Sequence, residues 1–217
     1  MTREIAHLTL EHLTLVIVSM ALSVAVAVPA GILITRRVAW RPWVVGFANI
    51  MQTIPSLALF GFLIPVPLIG GIGKRTAIVA LFLYALLPIL RNTLVGILGV
   101  DAAVRESAIA MGMTGSQMLW RVEMPLAART ILAGIRVATV ATIGNATIAA
   151  AIGGGGLGVF IFRGIASVDT GQILAGAMPA ACIALAADAS LGLLERRWQF
   201  TRSPDTPARF RTAPDNT

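Results

Sequence analysis

The sequence predicts an all-α integral membrane protein with about five transmembrane helices. Of its 217 residues, 57% are hydrophobic and only 12% are charged, whereas roughly 25% of the residues in a soluble domain are charged. The mean hydropathy is +0.84. The apolar residues are also collected into five runs, each long enough to cross a bilayer core about 30 Å thick. These observations place the chain in a membrane rather than in water.

The predicted spans cover residues 13–35, 44–64, 76–95, 128–152 and 173–194. The first span is uncharged and ends at Arg36 and Arg37. This is a basic stop rather than a cleavage pattern, so we expect the segment to be retained. Pro55 interrupts the second span. Residues 1–12 then form a short external N-terminus, 13–197 the membrane domain, and 198–217 a tail rich in Arg, Pro and Thr that we expect to be disordered.

A polar island, residues 101–125, separates the third and fourth spans. Asp101 can cap a short helix that stops at Gly112. Thr114 begins a second helix with the spacing of a capping box, and we expect Pro125 to end it. Each helix is about 15 Å long at 1.5 Å per residue, so neither can cross the bilayer. The island therefore predicts two short helices beside the membrane, where a soluble partner can bind.

The island also carries a gapped motif: Glu106-Ser107-Ala108, then Gly112, then Val122, Met124 and Pro125. The spacing resembles the E-A-A, G and I-x-L-P pattern of ABC importer permeases, with Ser107 in place of Ala and Met124 in place of Leu. In that family the pattern forms the cytoplasmic loop that docks the ATPase subunit. The resemblance implies a docking set of Arg105, Glu106, Ser107, Ala108, Gly112, Met113, Thr114, Val122, Met124 and Pro125.

Lys and Arg predict the orientation. If the docking loop is cytoplasmic, five spans put the N-terminus outside and the C-terminus inside. The outer side then carries Arg3, Lys74, Arg75 and Arg163, which leaves 13 of the 17 basic residues inside. That bias obeys the positive-inside rule, and the opposite orientation reverses it. The 13 are Arg36, Arg37, Arg41, Arg91, Arg105, Arg121, Arg129, Arg136, Arg196, Arg197, Arg202, Arg209 and Arg211.

The wider sequence is similar to the permeases of osmoprotectant importers. The similarity covers most of residues 10–197 and includes the segments 53–59, 84–93, 134–158, 161–166 and 192–197. It implies a type I, methionine-importer-like permease fold in a bacterial inner membrane and uptake of glycine betaine, choline, carnitine or a related quaternary ammonium compound. It also implies partners: a second permease chain, the same or a sister, an ABC ATPase dimer that holds ATP and Mg, and a periplasmic or membrane-tethered substrate-binding protein.

Polar residues inside the spans are candidates for a translocation pathway. They are Gln52, Thr53, Pro55, Ser56, Asn145 and Thr147. A pathway wall would use their polar groups, and Pro55 would loosen a helix that must move. Close helix packing explains the small residues around Asn145 and Thr147 equally well. The sequence leaves both interpretations open.

The glycine tract after the fourth span, Gly153, Gly154, Gly155, Gly156 and Gly158, satisfies G-x-G-x-x-G. A dinucleotide site would need a preceding strand and an acid about 20 residues onward, whereas here a span precedes and Asp169 follows by 11 residues. We favour a flexible outer loop, which could also receive a binding protein. Gly73-Lys74-Arg75-Thr76 lacks the first glycine of a phosphate loop, so we expect ATP on another chain.

Several other functions are excluded or disfavoured. The net charge of +7 is scattered beside apolar spans, which argues against nucleic acid. Two histidines and one cysteine without a cluster predict no metal site, and no residue pattern predicts catalysis. Arg136 and Asp188 lie near predicted inner ends, where a structural role is favoured over substrate contact. The alternatives to an osmoprotectant permease are an amino-acid or methionine-type ABC permease, an ion-coupled carrier, and a channel subunit.

Overall fold

The computed structural model describes residues 2–67 and 69–197, and the regular structure in this part of the chain is helical. The predicted tail, 198–217, lies outside the described residues. The helices are α1 (Thr2–Arg36), α2 (Arg41–Thr53), α3 (Ser56–Leu63), α4 (Lys74–Leu98), α5 (Ala102–Ala110), α6 (Gly115–Met118), α7 (Met124–Ile148), α8 (Gly158–Ser167) and α9 (Thr170–Arg197). Shorter turns at Val38–Trp40, Leu119–Glu123 and Ala149–Ile152 extend three of them.

Four helical segments are long and apolar enough to cross a membrane, and α2 with α3 makes a fifth if the bent pair is one span. The relative direction of α1 and α4 decides whether α2 and α3 together cross the bundle. The Ser19 hydroxyl donates to the Ile78 carbonyl and the Ser23 hydroxyl to the Phe82 carbonyl, both at 3.2 Å. The constant offset of 59 residues means that α1 and α4 run parallel. The chain between them must therefore return across the bundle, which α2 and α3 do.

The segment that returns across the bundle is sharply bent, because the helix axis turns by 104° between α2 and α3. Ile54 is extended, with ψ at 128°, and the following Pro55 has no N–H to continue the helix. The Tyr84 hydroxyl of α4 donates to the Ile54 carbonyl, which the break leaves without a helical partner. The interruption predicted at Pro55 is thus a complete break, held by a hydrogen bond from the neighbouring span.

The remaining spans pack around α4. Helix α7 runs antiparallel to α4, and Gly134 lies so close that a methyl group there would come within 2.8 Å of the Pro88 carbonyl. Helix α9 runs antiparallel to α7, with Arg136 facing Asp188 and Arg129 facing Glu195. These directions put Arg36, α5, α6 and the C-terminal part of α9 at one end of the bundle, which we call the loop end.

Several helix boundaries differ from the predicted spans. Helix α1 begins at Thr2 rather than near Leu13 and, with 35 residues, measures about 52 Å, so it extends beyond a bilayer core. Helix α8 was not predicted, and its 10 residues give about 15 Å, too short to cross. It packs on α9 near the opposite end from the loop end, where a methyl group on Gly164 would lie 2.7 Å from Ile173.

Candidate docking site and pathway residues

Both predicted caps of the polar island are present. The Asp101 carboxylate accepts the Ala103 N–H at 2.9 Å and begins α5. The Thr114 hydroxyl accepts the Gln117 N–H at 3.3 Å, and the Gln117 side chain accepts the Thr114 N–H at 2.9 Å. The two bonds form the capping box that begins α6. These short helices thus begin where the local sequence predicts.

Gly112 ends the first short helix by a left-handed turn, with φ at +74°. The Met113 N–H donates to the Ala108 carbonyl at 3.1 Å and the Gly112 N–H to the Ile109 carbonyl at 2.9 Å, which is the Schellman pattern. A side chain at Gly112 would meet nothing within 4 Å. The requirement for glycine is therefore conformational, because L-residues rarely adopt this φ.

The prediction that Pro125 ends the second helix is wrong. Residues Leu119–Glu123 form a π-helical segment, and α7 continues from Met124. Pro125 stands in the first turn of α7, directly after the π-helical segment. Proline, which has no N–H to donate, therefore lies where the regular i→i−4 bonding is already interrupted, and the helix continues past it. The second short helix and the fourth span are consequently one helical element, Gly115–Ile152, of 38 residues.

The docking set divides into an exposed part and a part that packs on this chain. Glu106, Ser107, Gly112, Thr114 and Pro125 are exposed, and Met113, Val122 and Met124 are half-buried. Ala108 is buried, and Arg105 turns toward the bundle. The structure therefore leaves mainly the first group available to a partner.

Two large apolar side chains join this exposed surface although the predicted docking set omits them. Ile109 is 62% and Met111 is 70% exposed. We call Glu106, Ser107, Ile109, Met111 and Gly112 the docking face. Exposed apolar side chains that lie together and are rimmed by polar residues are typical of an interaction surface. The sequence signal was present, since both residues are apolar within a segment too short to enter the membrane.

A buried acid lies directly behind the docking face. Glu123 is 1% exposed, pairs with Arg36 at the end of α1, and lies 3.2 Å from the Arg105 Nε of α5. We call Arg36, Arg105 and Glu123 the Glu123 cluster. The sequence did not predict it. No local pattern could have revealed it, because Arg36 and Glu123 are 87 positions apart.

The pathway candidates lie on two neighbouring elements. Gln52, Thr53 and Pro55 are exposed at the break between α2 and α3, and Ser56 is half-buried. Asn145 and Thr147 are half-buried near the end of α7, where α3 and α7 share a core through Leu59, Phe60, Ala146 and Ala149. The hydroxyls of Thr53 and Thr147 donate to carbonyls one turn back on their own helices. In the described residues no hydrogen bond joins the two groups.

The glycine tract is packed, which corrects the expectation of a flexible outer loop. Gly154, Gly156 and Gly158 are buried, Gly155 is half-buried, and Gly153 is exposed. The Gly156 N–H donates to the Glu11 carboxylate at 3.2 Å, and Lys74 lies 2.7 Å from the same carboxylate. The turn has positive φ at Gly153, Gly155 and Gly156. It therefore cradles a side chain of α1 and exposes little glycine surface to a binding protein.

Arg136 and Asp188 join two of the spans. Arg136 binds Asp188 through two hydrogen bonds, at 2.6 and 2.7 Å, and lies 3.5 Å from Glu195. This contact between α7 and α9 supports the structural interpretation of both residues. His12 is buried against Gly156, because α1 begins early enough to place it inside the bundle.

Comparison with known proteins agrees with this geometry. The model of the binding-protein-dependent transport system inner membrane component family matches residues 27–200. The choline transport system permease protein OpuBB of Bacillus subtilis is 45% identical over 89% of this chain and 88% of its own. The glycine betaine/carnitine/choline transport system permease protein OpuCB of the same organism is 46% identical over the same shares.

Among solved structures, an inward-facing MetNI methionine ABC transporter matches with a TM-score of 0.79 and 22% identity, over 91% of this chain and 95% of that chain. This likeness shows that the fold is that of a type I ABC importer permease, as the sequence predicted. Together with the family match over residues 27–200, it leads to one conclusion: the chain belongs to the family of inner membrane components of binding-protein-dependent transport systems.

Proposed function

We propose that this chain is the permease subunit of an ATP-driven importer for a quaternary ammonium osmoprotectant such as choline, glycine betaine or carnitine. The observation that carries the proposal is the 45–46% identity, across nearly the whole chain, to permeases named for choline and for glycine betaine, carnitine and choline. A methionine-type substrate has weaker support, because the likeness to that transporter is at 22% identity and concerns the fold.

The energy for transport comes from a partner in this proposal. Two ATPase subunits, holding ATP and Mg, bind the docking faces of two permease chains, and a substrate-binding protein delivers the substrate from the other side. The exposed Ile109 and Met111 on a short charged helix support such a contact. The second permease chain is either another copy or a sister chain.

The continuity of α6 with α7 suggests how motion reaches the membrane. Because Gly115–Ile152 is one helical element, a displacement of α6 by the ATPase tilts α7 directly and needs no hinge between them. Helix α7 lies beside α3, which bears the break at Pro55. The tilt therefore acts on the neighbourhood of Gln52, Thr53, Ser56, Asn145 and Thr147, which we assign to the pathway between the two permease chains.

We further propose that the loop end faces the cytoplasm, with the N-terminus outside and the C-terminus inside. Ser116, which is exposed on α6, tests this after Cys182 is replaced by alanine. A cysteine at this position is expected to resist a membrane-impermeant maleimide in intact cells and to react after lysis. A matched Ile72→Cys variant, exposed before α4 at the opposite end, is expected to react in intact cells. Labelling of the Ser116→Cys variant in intact cells contradicts the assigned sidedness.

Reconstitution tests the function itself. The chain is co-expressed with an ABC ATPase and a substrate-binding protein from the same organism and placed in proteoliposomes. Uptake of radiolabelled choline or glycine betaine is expected to require internal ATP and the binding protein, and to survive collapse of ion gradients. Loss of uptake with the gradients would indicate an ion-coupled carrier, and uptake without ATP a channel. Uptake of methionine alone would replace the proposed substrate class.

A further inference from the structure

We infer that Glu123 is a positioning residue for transport, holding the first docking helix, α5, to the membrane spans that it must move. The inference rests on the proposed function, in which the ATPase binds the docking face. It concerns a residue behind that face, which is 1% exposed and so cannot itself contact the ATPase.

The geometry brings three separate elements onto one carboxylate. Glu123 lies on the π-helical segment between α6 and α7. Arg36, the last residue of α1, donates a hydrogen bond to one of its oxygens. Arg105 of α5 lies 3.2 Å from the other oxygen. The first span, the first docking helix and the rod formed by α6 and α7 are thus joined by charge at a single buried point.

Arg105 also extends the connection to a further span. Its Nη2 donates to the Ile97 carbonyl, in the last turn of α4. The other residue by which α5 packs inward is Ala108, whose side chain is a single methyl group. Arg105 is therefore the principal side-chain tether of α5, and its charge is balanced by Glu123.

The physical consequence follows from the cost of separating buried charges. If α5 moved alone, Arg105 would leave the carboxylate of Glu123, which is 1% exposed, with Arg36 as its remaining partner. Removing one partner of a buried charge is unfavourable. Displacement of α5 by the ATPase therefore carries the π segment and Arg36 with it. Without the carboxylate, α5 is held by the chain ends at Val100 and Gly112 and by the Ile97 contact, so its motion transmits less to α1 and α7.

The test compares two carboxylates of similar chemistry in the reconstituted complex. In Glu123→Gln the linking charge is lost. The control is Glu195→Gln. Glu195 also pairs with two arginines at the loop end, Arg129 and Arg136, but these pairs join α7 and α9 and do not involve α5. The measurement is radiolabelled choline transported per ATP hydrolysed, with the amount of bound ATPase determined separately.

Glu123→Gln is expected to keep the ATPase bound and to lower the transport-to-hydrolysis ratio roughly 2- to 30-fold, the range of mutations along a coupling connection. Glu195→Gln is expected to keep the wild-type ratio. Arg105→Gln is expected to lower the ratio by a similar factor. The double variant, Glu123→Gln with Arg105→Gln, is expected to lower it no further, because the two substitutions remove the same link. A merely structural role would lower transport and hydrolysis together and leave the ratio unchanged.

An unchanged ratio in Glu123→Gln, or an equal fall in Glu195→Gln, overturns the inference. If the Glu123→Gln protein does not accumulate in the membrane, the transport-to-hydrolysis ratio of Arg105→Gln tests the inference instead. That variant leaves Glu123 paired with Arg36. Failure of the proposed function gives a different result: the wild-type chain then neither binds the ATPase nor transports choline with ATP, and the inference falls with it. A coupled wild type with unchanged ratios in both variants overturns the inference alone.

Discussion

Replacing Ile109 with arginine is expected to abolish co-purification of the ATPase while the chain still inserts into the membrane. Ile109 is 62% exposed on α5 and lies on the docking face. A charge placed in the centre of an apolar contact removes the burial and leaves an unpaired cation, and substitution of such a residue commonly costs about 2 kcal/mol or more of binding energy. Affinity purification of the tagged permease, followed by quantification of the bound ATPase, measures the effect.

The matched control is Ile72→Arg, the same substitution at the opposite end of the bundle. Ile72 is 81% exposed before α4, and its replacement is expected to leave ATPase binding intact. Equal loss in both variants would point to general damage of the membrane domain. Full ATPase binding by Ile109→Arg would show that the docking face is assigned to the wrong surface.

Gly158→Ala is expected to prevent normal folding of the membrane domain. A methyl group at Gly158 would lie 1.8 Å from the Thr147 carbonyl oxygen and 2.7 Å from its carbon. Backbone atoms of α7 cannot yield as a flexible side chain would, so we expect a loss of stability of about 3 kcal/mol or more. Thermal denaturation of the detergent-purified protein, followed by size-exclusion chromatography, measures it.

Gly46→Ala provides the control within a helix. Nothing lies within 4 Å of a methyl group at Gly46, in the interior of α2, where alanine is favoured over glycine by about 0.5–1 kcal/mol. Stability is therefore expected to stay equal or rise. Normal stability of Gly158→Ala, combined with impaired response to the binding protein, would instead favour the loop as a docking surface for that protein.

Some of the architecture was accessible from the sequence because it depends on short-range rules. The cap at Asp101, the capping box at Thr114 and the left-handed turn at Gly112 each depend on residues at most five positions apart. The break at Pro55 follows from the missing N–H of proline. Apolar runs as long as a bilayer is thick predicted the crossings, and the family likeness of the docking loop lay in the order of its residues.

Two other predictions failed, for different physical reasons. Pro125 was expected to end a helix, yet a π segment allows the helix to continue. The glycine tract was expected to be flexible, yet it closes on Glu11, 145 positions away from Gly156. Glu11 reaches the glycine tract from another helix, whose rotation and register a linear pattern does not specify.

Hydropathy and capping are local properties of the chain, so the linear sequence was enough to predict the apolar spans and the starts of α5 and α6 between them. The order of residues in the docking motif then indicated the permease family. Which residues of α5 and α6 face outward, and which contact the spans, depends on how distant helices pack together. Arg105 resembles a docking residue in the sequence, but it turns inward to Glu123 and Arg36. The reason is electrostatic: a buried carboxylate must be paired, and its partners were brought to it by the packing of three helices.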